Sequence, residues 1–316
     1  MTALEFETAN EALWHELERA VKLSERAIEP QRFLHLYRTC CEHLALAQAR
    51  GFPTALIERL SIVTARAHQI VYRQSDFGLS RMARVLLHAF PARVRAHAGY
   101  VAVAALLLMA PAAILGIAVY HRPELVLSLI DGATAARFEK MYDPSNPVLG
   151  RLRDEGSNWM MFGFYILNNI GIAFQCYATG VLFGVGSALF IVFNGAFGGA
   201  IGGYVASCGF AGTFFPFIAT HSAFELTAIV LCGAGGLRVG RAVLLPGRLA
   251  RTAALELAAR DTSIIVFGAA VMLVIAAAIE AFWSSAAWIT PGAKLAGAAA
   301  CWLLVVFFFL RRPDAD

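Results

Sequence analysis

The sequence predicts an all-α polytopic membrane protein, with a cytoplasmic helical bundle ahead of about six transmembrane helices. Three observations carry this. Of the 316 residues, 59% are apolar and only 15% charged, where soluble chains average about 25% charged. Between Glu155 and Arg238 lie 82 residues with one formal charge, Glu225, and between Asp261 and Arg311 lie 49 with two, Glu280 and Lys294. Basic residues gather in segments that a six-span arrangement puts on one side.

Residues 1–98 read as an amphipathic helical bundle. Leu13, Trp14, Leu17 and Val21 recur at helix spacing, with Glu16, Glu18, Arg19 and Lys22 on other faces. Pro30 suits a first helical position, ahead of an apolar side of Phe33, Leu34, Tyr37, Cys41 and Leu44. Gly51 reads as the residue just past a helix end, and Pro53 as the start of a third helix carrying Leu56, Leu60, Val63, Ala67 and Ile70. Residues 80–97, with Arg81, Arg84, Arg93 and Arg95 beside Leu86, Leu87 and Phe90, read as a basic elbow on the membrane surface.

Residues 99–316 form the transmembrane domain. Its spans are expected near 99–120, 158–178, 181–206, 213–234, 262–283 and 294–310. Pro111 lies in span 1, where neighbouring helices re-satisfy the backbone. The 121–157 loop, with turn signals at Asp143-Pro144 and Asn146-Pro147, is extracytoplasmic, and the 236–261 loop is cytoplasmic. The N-terminal region holds 13 Arg and Lys, the 236–261 loop five, and the tail Arg311 and Arg312. All fall on one side, so the expected location is the cytoplasmic (inner) membrane with both termini inside. Trp159, Trp283 and Trp288 then fall at the outer interface, as an aromatic belt requires.

Few polar residues fall at membrane depth. Asn168, Asn194 and Glu225 lie near the middle of spans 2, 3 and 4, with His221 one turn from Glu225 and Asn169 beside Asn168. His221 and Glu225 are i, i+4 and share a helix face, and Asn168 and Gln175 are i, i+7. An ionisable residue in the bilayer costs about 2.5–3.5 kcal/mol on insertion scales, so it seeks a partner or a cavity. A midplane polar cluster between spans 2, 3 and 4 is expected. Purely structural hydrogen bonding is the competing reading. Glu280 lies three residues from the outer end of span 5, where it can snorkel, and Lys294 can pair with it. Span 3 carries Gly195, Gly199 and Gly203 at four-residue spacing, and Gly198 and Gly202 likewise. That pattern suits a close helix contact, within the chain or across a homodimer. Asn194-Gly195 could instead break the helix, as in transporters, and Gly233, Gly235 and Gly236 would loosen the cytoplasmic end of span 4.

Other classes are excluded. No aromatic-interleaved basic patch supports nucleic-acid binding. The six cysteines contain no C-x-x-C. His221 and Glu225 lack a third ligand nearby in sequence, so no metal or other cofactor is expected. No nucleophile elbow, zinc-protease motif or phosphate loop is present, so no enzyme is expected. The start MTALEFETANEALW has acidic residues where a signal peptide needs basic ones.

Several motifs in order resemble the stage II sporulation protein M family. They are Trp14 with Leu17-Glu18, Leu36-Tyr37-Arg38, and Arg66-Ala67-His68 followed by Tyr72-Arg73. In the membrane region they are Asn168-Asn169, Phe193-Asn194-Gly195, His221 with Glu225-Leu226-Thr227-Ala228, and Gly236-Leu237-Arg238-Val239-Gly240. Pro246-Gly247 with Arg251, and Ile279-Glu280 with Thr290-Pro291, complete them. The family commonly has Pro-His-Gly where this chain has Thr220-His221-Ser222. The resemblance therefore gives no ground for a break in span 4. It implies a cell-envelope membrane protein. The namesake acts with peptidoglycan-cleaving partners, and members are often encoded beside MoxR-type ATPases.

Two functions follow as expectations. In the first, Glu225 carries a proton, a cation or a small polar solute, with His221 as proton partner and Asn168 and Asn194 orienting it. In the second, the chain is a non-catalytic scaffold that recruits envelope-remodelling partners through the 121–157 loop and the bundle.

Overall fold

A computed structural model describes residues 2–23, 29–71, 79–146, 148–151 and 156–311. Tyr72-Arg73, Pro147 and Arg312, used above, lie outside these. The described residues contain helices and turns and no named strand. The chain divides into two compact units, Met1–Met82 and Ala83–Asp316.

The first unit is a bundle of α1 (Ala3–Leu23), α2 (Pro30–Ala49) and α3 (Thr54–Val71). Trp14 and Leu17 are fully buried, and the Trp14 indole Nε1 donates to His43 Nδ1 at 3.0 Å. Meeting the indole N–H matters because a buried donor without a partner is costly. The buried face of α2 is Leu36, Cys40 and Ala47, with Phe33, Tyr37 and Leu44 only partly covered. This face is turned from the expected one, because His43 must reach Trp14 and that rotates Cys41 outward. Gly51 has φ +62°, and Phe52 N donates back to the Ala47 carbonyl at 3.0 Å, closing the end of α2. Arg59 on α3 binds Glu18 on α1 at 2.9 Å, and Arg32 on α2 binds Glu16 at 2.7 Å.

The second unit begins at the elbow, not at residue 99. α4 (Leu79–Arg84) runs through a π-helical turn (Val85–Ala89) into α5 (Phe90–Ala96). α5 does not lie free on a surface. Phe90 is 2% exposed, seated over Gly268 and against the rings of Phe308 and Phe309. Arg93 and His97 both bind Asp261, at 2.6 and 2.8 Å, and Arg95 caps the last carbonyls of the final helix, Phe309 and Arg311. Arg93 and His97 thus hold α11 and Arg95 the end of α12, which a hydropathy pattern cannot show.

Five helical stretches are long and apolar enough to cross a membrane: 98–121, 185–207, 211–244, 251–284 and 291–310. They hold α6 (Ala98–His121), α9 (Val185–Ser207), α10 (Ala211–Leu244), α11 (Arg251–Ala278) with a π-helical turn (Ile279–Ser284), and α12 (Pro291–Leu310). α8 (Asn158–Ala178) covers the expected span 2 but falls short on apolarity, because Asn168, Asn169 and Gln175 dilute it. The chain is an integral, polytopic helical membrane protein.

α9 is continuous through Asn194-Gly195, and its glycines meet α6. A Cβ on Gly195, Gly199 or Gly203 would run into the backbone of Leu108, Ala112 or Gly116. The face Gly195–Gly199–Gly203 is therefore used inside the chain and offers no dimer surface, whereas Gly198 has open space before it. α10 is the central post. At 34 residues it is about 50 Å long, and it touches α6, α8, α9, α11 and α12. It is unbroken at Thr220-His221-Ser222 and also past Gly233, Gly235 and Gly236. These glycines do not loosen the end. Gly236 and Gly240 admit the backbone of the α8–α9 turn, where Phe183 and Gly184 take positive φ. Helix thus fills most of 236–261, and only 245–250 is a loop.

The segment after α6 is packed too. A 3-10 turn (Pro123–Ser128) leads to α7 (Gly132–Tyr142), N-capped by Asp131. Tyr142 is buried edge-on against Phe214 and Phe217 of α10, and its carbonyl accepts from Thr213 Oγ1 at 2.5 Å.

Candidate functional site

The candidate site lies where α10 meets the C-terminal end of α11 and the N-terminal end of α12. His221 is buried, with Nδ1 3.0 Å from Ser284 Oγ and its ring edge-on to Phe217. Its Nε2 stands 3.9 Å from Glu225 Oε2. Glu280 joins them: one ligand atom from each of His221, Glu225 and Glu280 lies within 4.8 Å of the others. Nothing in the spacing of span 4 pointed to Glu280. The π-helical turn at 279–284 decides it. The wider turn inserts a residue and re-aims the side chains around it, as such turns do at functional sites. Glu280 therefore faces α10 instead of snorkelling outward.

Lys294 is the second correction. It is 2% exposed, and its Nζ donates to the Ser284 carbonyl at 2.7 Å. Among the described residues no ion pair joins it to Glu280. Its own carbonyl accepts from Thr220 Oγ1 at 3.0 Å. Ser284 and Thr220, which the sequence reading passed over, thus tie the three helices together. Among the described residues no hydrogen bond reaches the carboxylate of Glu225 or of Glu280.

The depth also changes. Counting along span 4 puts Glu225 mid-span, yet its neighbour Glu280 is one turn from Trp283, near the end of the α11 stretch. α10 extends beyond the α11–α12 turn, and α7 packs on the projecting part. The Tyr142 phenol there is pushed well up from its ordinary value, by burial first and then by the charges of Glu280 and Glu225. The site sits at the level of the α11–α12 turn.

A cavity of about 830 Å³ opens between α6, α9 and α10. Its wall is mostly apolar, and Asn194, His221, Ser222 and Glu225 are polar groups on it. Asn194 shares this space but spends its amide on the Phe190 carbonyl at 2.7 Å. The pair on α8 does not join the others through any hydrogen bond. Asn168 donates to Asn169 at 3.0 Å, and buried Asn169 keeps Nδ2 without a partner. Gln175 and Asn168 are exposed on the outward face of α8. So the structure brings His221, Glu225 and Glu280 together, sets Asn194 beside them, and leaves Asn168, Asn169 and Gln175 on another helix.

No curated protein and no solved structure matches the chain. Residues 4–73 match a domain family of unknown function, DUF8413. Residues 104–285, more than half of the chain and including His221, Glu225 and Glu280, match the family model described as stage II sporulation protein M: this membrane protein belongs to that family.

Proposed function

We propose that the chain binds a proton or another small cation at His221, Glu225 and Glu280 and passes it between the cavity and the interior of the helix bundle. The observation that supports this is the pair of carboxylates brought together without a hydrogen-bond donor to either. Two adjacent half-buried carboxylates with no donor repel, so they need a cation between them or a proton on one. The imidazole beside them can accept or relay that charge. The test uses purified protein in vesicles loaded with a pH-sensitive dye, with an ion gradient imposed. Glu225→Gln and Glu280→Gln should each abolish uptake while keeping the yield and helicity of the parent. Uptake equal to the parent in both variants refutes the reading. On the basic segments noted above, the site faces outward from the inner membrane of the envelope.

One observation favours the alternative, a non-catalytic scaffold. α8 turns Leu167, Asn168, Phe174 and Gln175 outward. Amides are costly against lipid, so such a face suits another helix, from a second copy or from an envelope-remodelling or ATPase partner. Cysteines at 167 and 174 should then crosslink in native membranes.

A further inference from the structure

The same three side chains carry a more specific assignment, which rests on the reading of this cluster as the working site. We infer that His221 Nε2 and one carboxylate oxygen each from Glu225 and Glu280 form a binding site for a single divalent transition-metal ion.

The geometry comes first. Zinc-class ions hold nitrogen and oxygen ligands at about 2.0–2.2 Å, so two ligands on one ion stand at most about 4.4 Å apart. The His221 Nε2 to Glu225 Oε2 separation of 3.9 Å is too long for a hydrogen bond. It suits two ligands sharing one ion. All three donor atoms fall within 4.8 Å of one another, so small side-chain rotations bring them to coordination distance.

The ring's support is the second, independent observation. A metal-ligating histidine usually places its other nitrogen on an oxygen, which sets the tautomer. Here Nδ1 meets Ser284 Oγ at 3.0 Å, leaving Nε2 toward the carboxylates. Ser284 is itself held, because its carbonyl accepts from Lys294 Nζ at 2.7 Å. The edge of Phe217 steadies the ring, at 5.4 Å between centroids.

Charge and donor type select the ion. Two carboxylates balance a divalent cation and leave one charge uncancelled with a monovalent one. An imidazole donor favours zinc, cobalt, iron or manganese over sodium, magnesium or calcium. Lys294 donates to the Ser284 carbonyl, and among the described residues it forms no ion pair with either glutamate. Three protein ligands leave a coordination position open. His221 and Glu225 also line the 830 Å³ cavity, so an ion and its water have a way in.

The test is a Co2+ titration of full-length, chelator-stripped protein in nanodiscs, read by visible d–d absorption. One equivalent should bind and be displaced by Zn2+. His221→Gln, Glu225→Gln and Glu280→Gln should each abolish the band. Ser284→Ala, which removes only the ring's support, should weaken binding about 10-fold or more. The Glu→Gln variants carry the result if His221→Gln does not fold. No binding by the parent, or binding unchanged in both folded Glu→Gln variants, overturns the inference. Vesicle assays separate it from the transport reading. Glu225-dependent proton uptake without bound Co2+ overturns the metal site and leaves transport standing. Site-bound Co2+ with no flux upholds the site and removes transport.

Discussion

The seam between α6 and α9 and the junction of α10 with α11 and α12 solve the problem of helix association in opposite ways. At the seam, Gly116, Gly195, Gly199 and Gly203 remove side chains so that backbones touch. Nothing polar is needed, and nothing is left over. At the junction, Thr220 and Lys294 join helices through hydrogen bonds to backbone carbonyls, and Ser284 Oγ meets His221 Nδ1. There the matching is incomplete, because Glu225 and Glu280 face each other without donors. Packing with no unmet group points to architecture. Packing that leaves carboxylates unmet points to a ligand.

The largest effect should come from the seam. Gly199→Leu drives a side chain into the backbone of Ala112 and should cost about 3 kcal/mol or more, read as loss of monodisperse protein or a lowered Tm. Gly198→Leu has open space and should stay within about 0.5 kcal/mol. Equal damage at both positions would break the contrast. At the junction, Lys294→Met removes the buried donor to the Ser284 carbonyl and should cost about 1–3 kcal/mol by thermal unfolding. Glu225→Gln removes no hydrogen bond, so its Tm should hold or rise while uptake is lost.

A smaller effect concerns the N-terminal bundle and acid. Arg59 hydrogen-bonded to Glu18 holds that carboxyl below its usual range, and burial holds His43 below the ordinary histidine value. In both cases the unfolded chain binds more protons than the folded one over the affected window. His43 therefore contributes stability above about pH 6.5 that fades as pH falls toward its folded value. Glu18 follows below about pH 4.3. Amide protection factors, which are corrected for the slower intrinsic exchange in acid, should fall across 3–23 and 30–71 on acidification, and His43→Gln should blunt the first phase. The smallest effect is Asn194→Leu. It loses one bond to a carbonyl in its own helix and should change stability by less than about 1 kcal/mol.

Much of the fold was legible because it follows from local rules. The helix end at Gly51 rests on a left-handed backbone that glycine adopts without steric cost. His221 and Glu225 share a face by helical spacing alone. The misreadings have one cause. Glu280 is 55 residues from Glu225 in sequence, and its direction depends on a π-helical turn that no periodicity signals. The depth of the site depended on how far α10 projects past the α11–α12 turn, which counting along one span cannot reveal. Arg93 and Arg95 of the elbow read as surface residues because their partners, Asp261 and the carbonyls of Phe309 and Arg311, lie on distant helices.

The sequence by itself determined that this chain is helical and crosses a membrane, because long uncharged stretches have no other solvent. It also determined that the ionisable residues inside those stretches would be few and costly. Only the tertiary structure decided that the glycine face is spent within the chain, and that Glu280 turns inward to stand beside Glu225 and His221. The physical reason is that burial in a membrane is a property of each segment, whereas the partner of a buried charge is a property of the whole packed bundle.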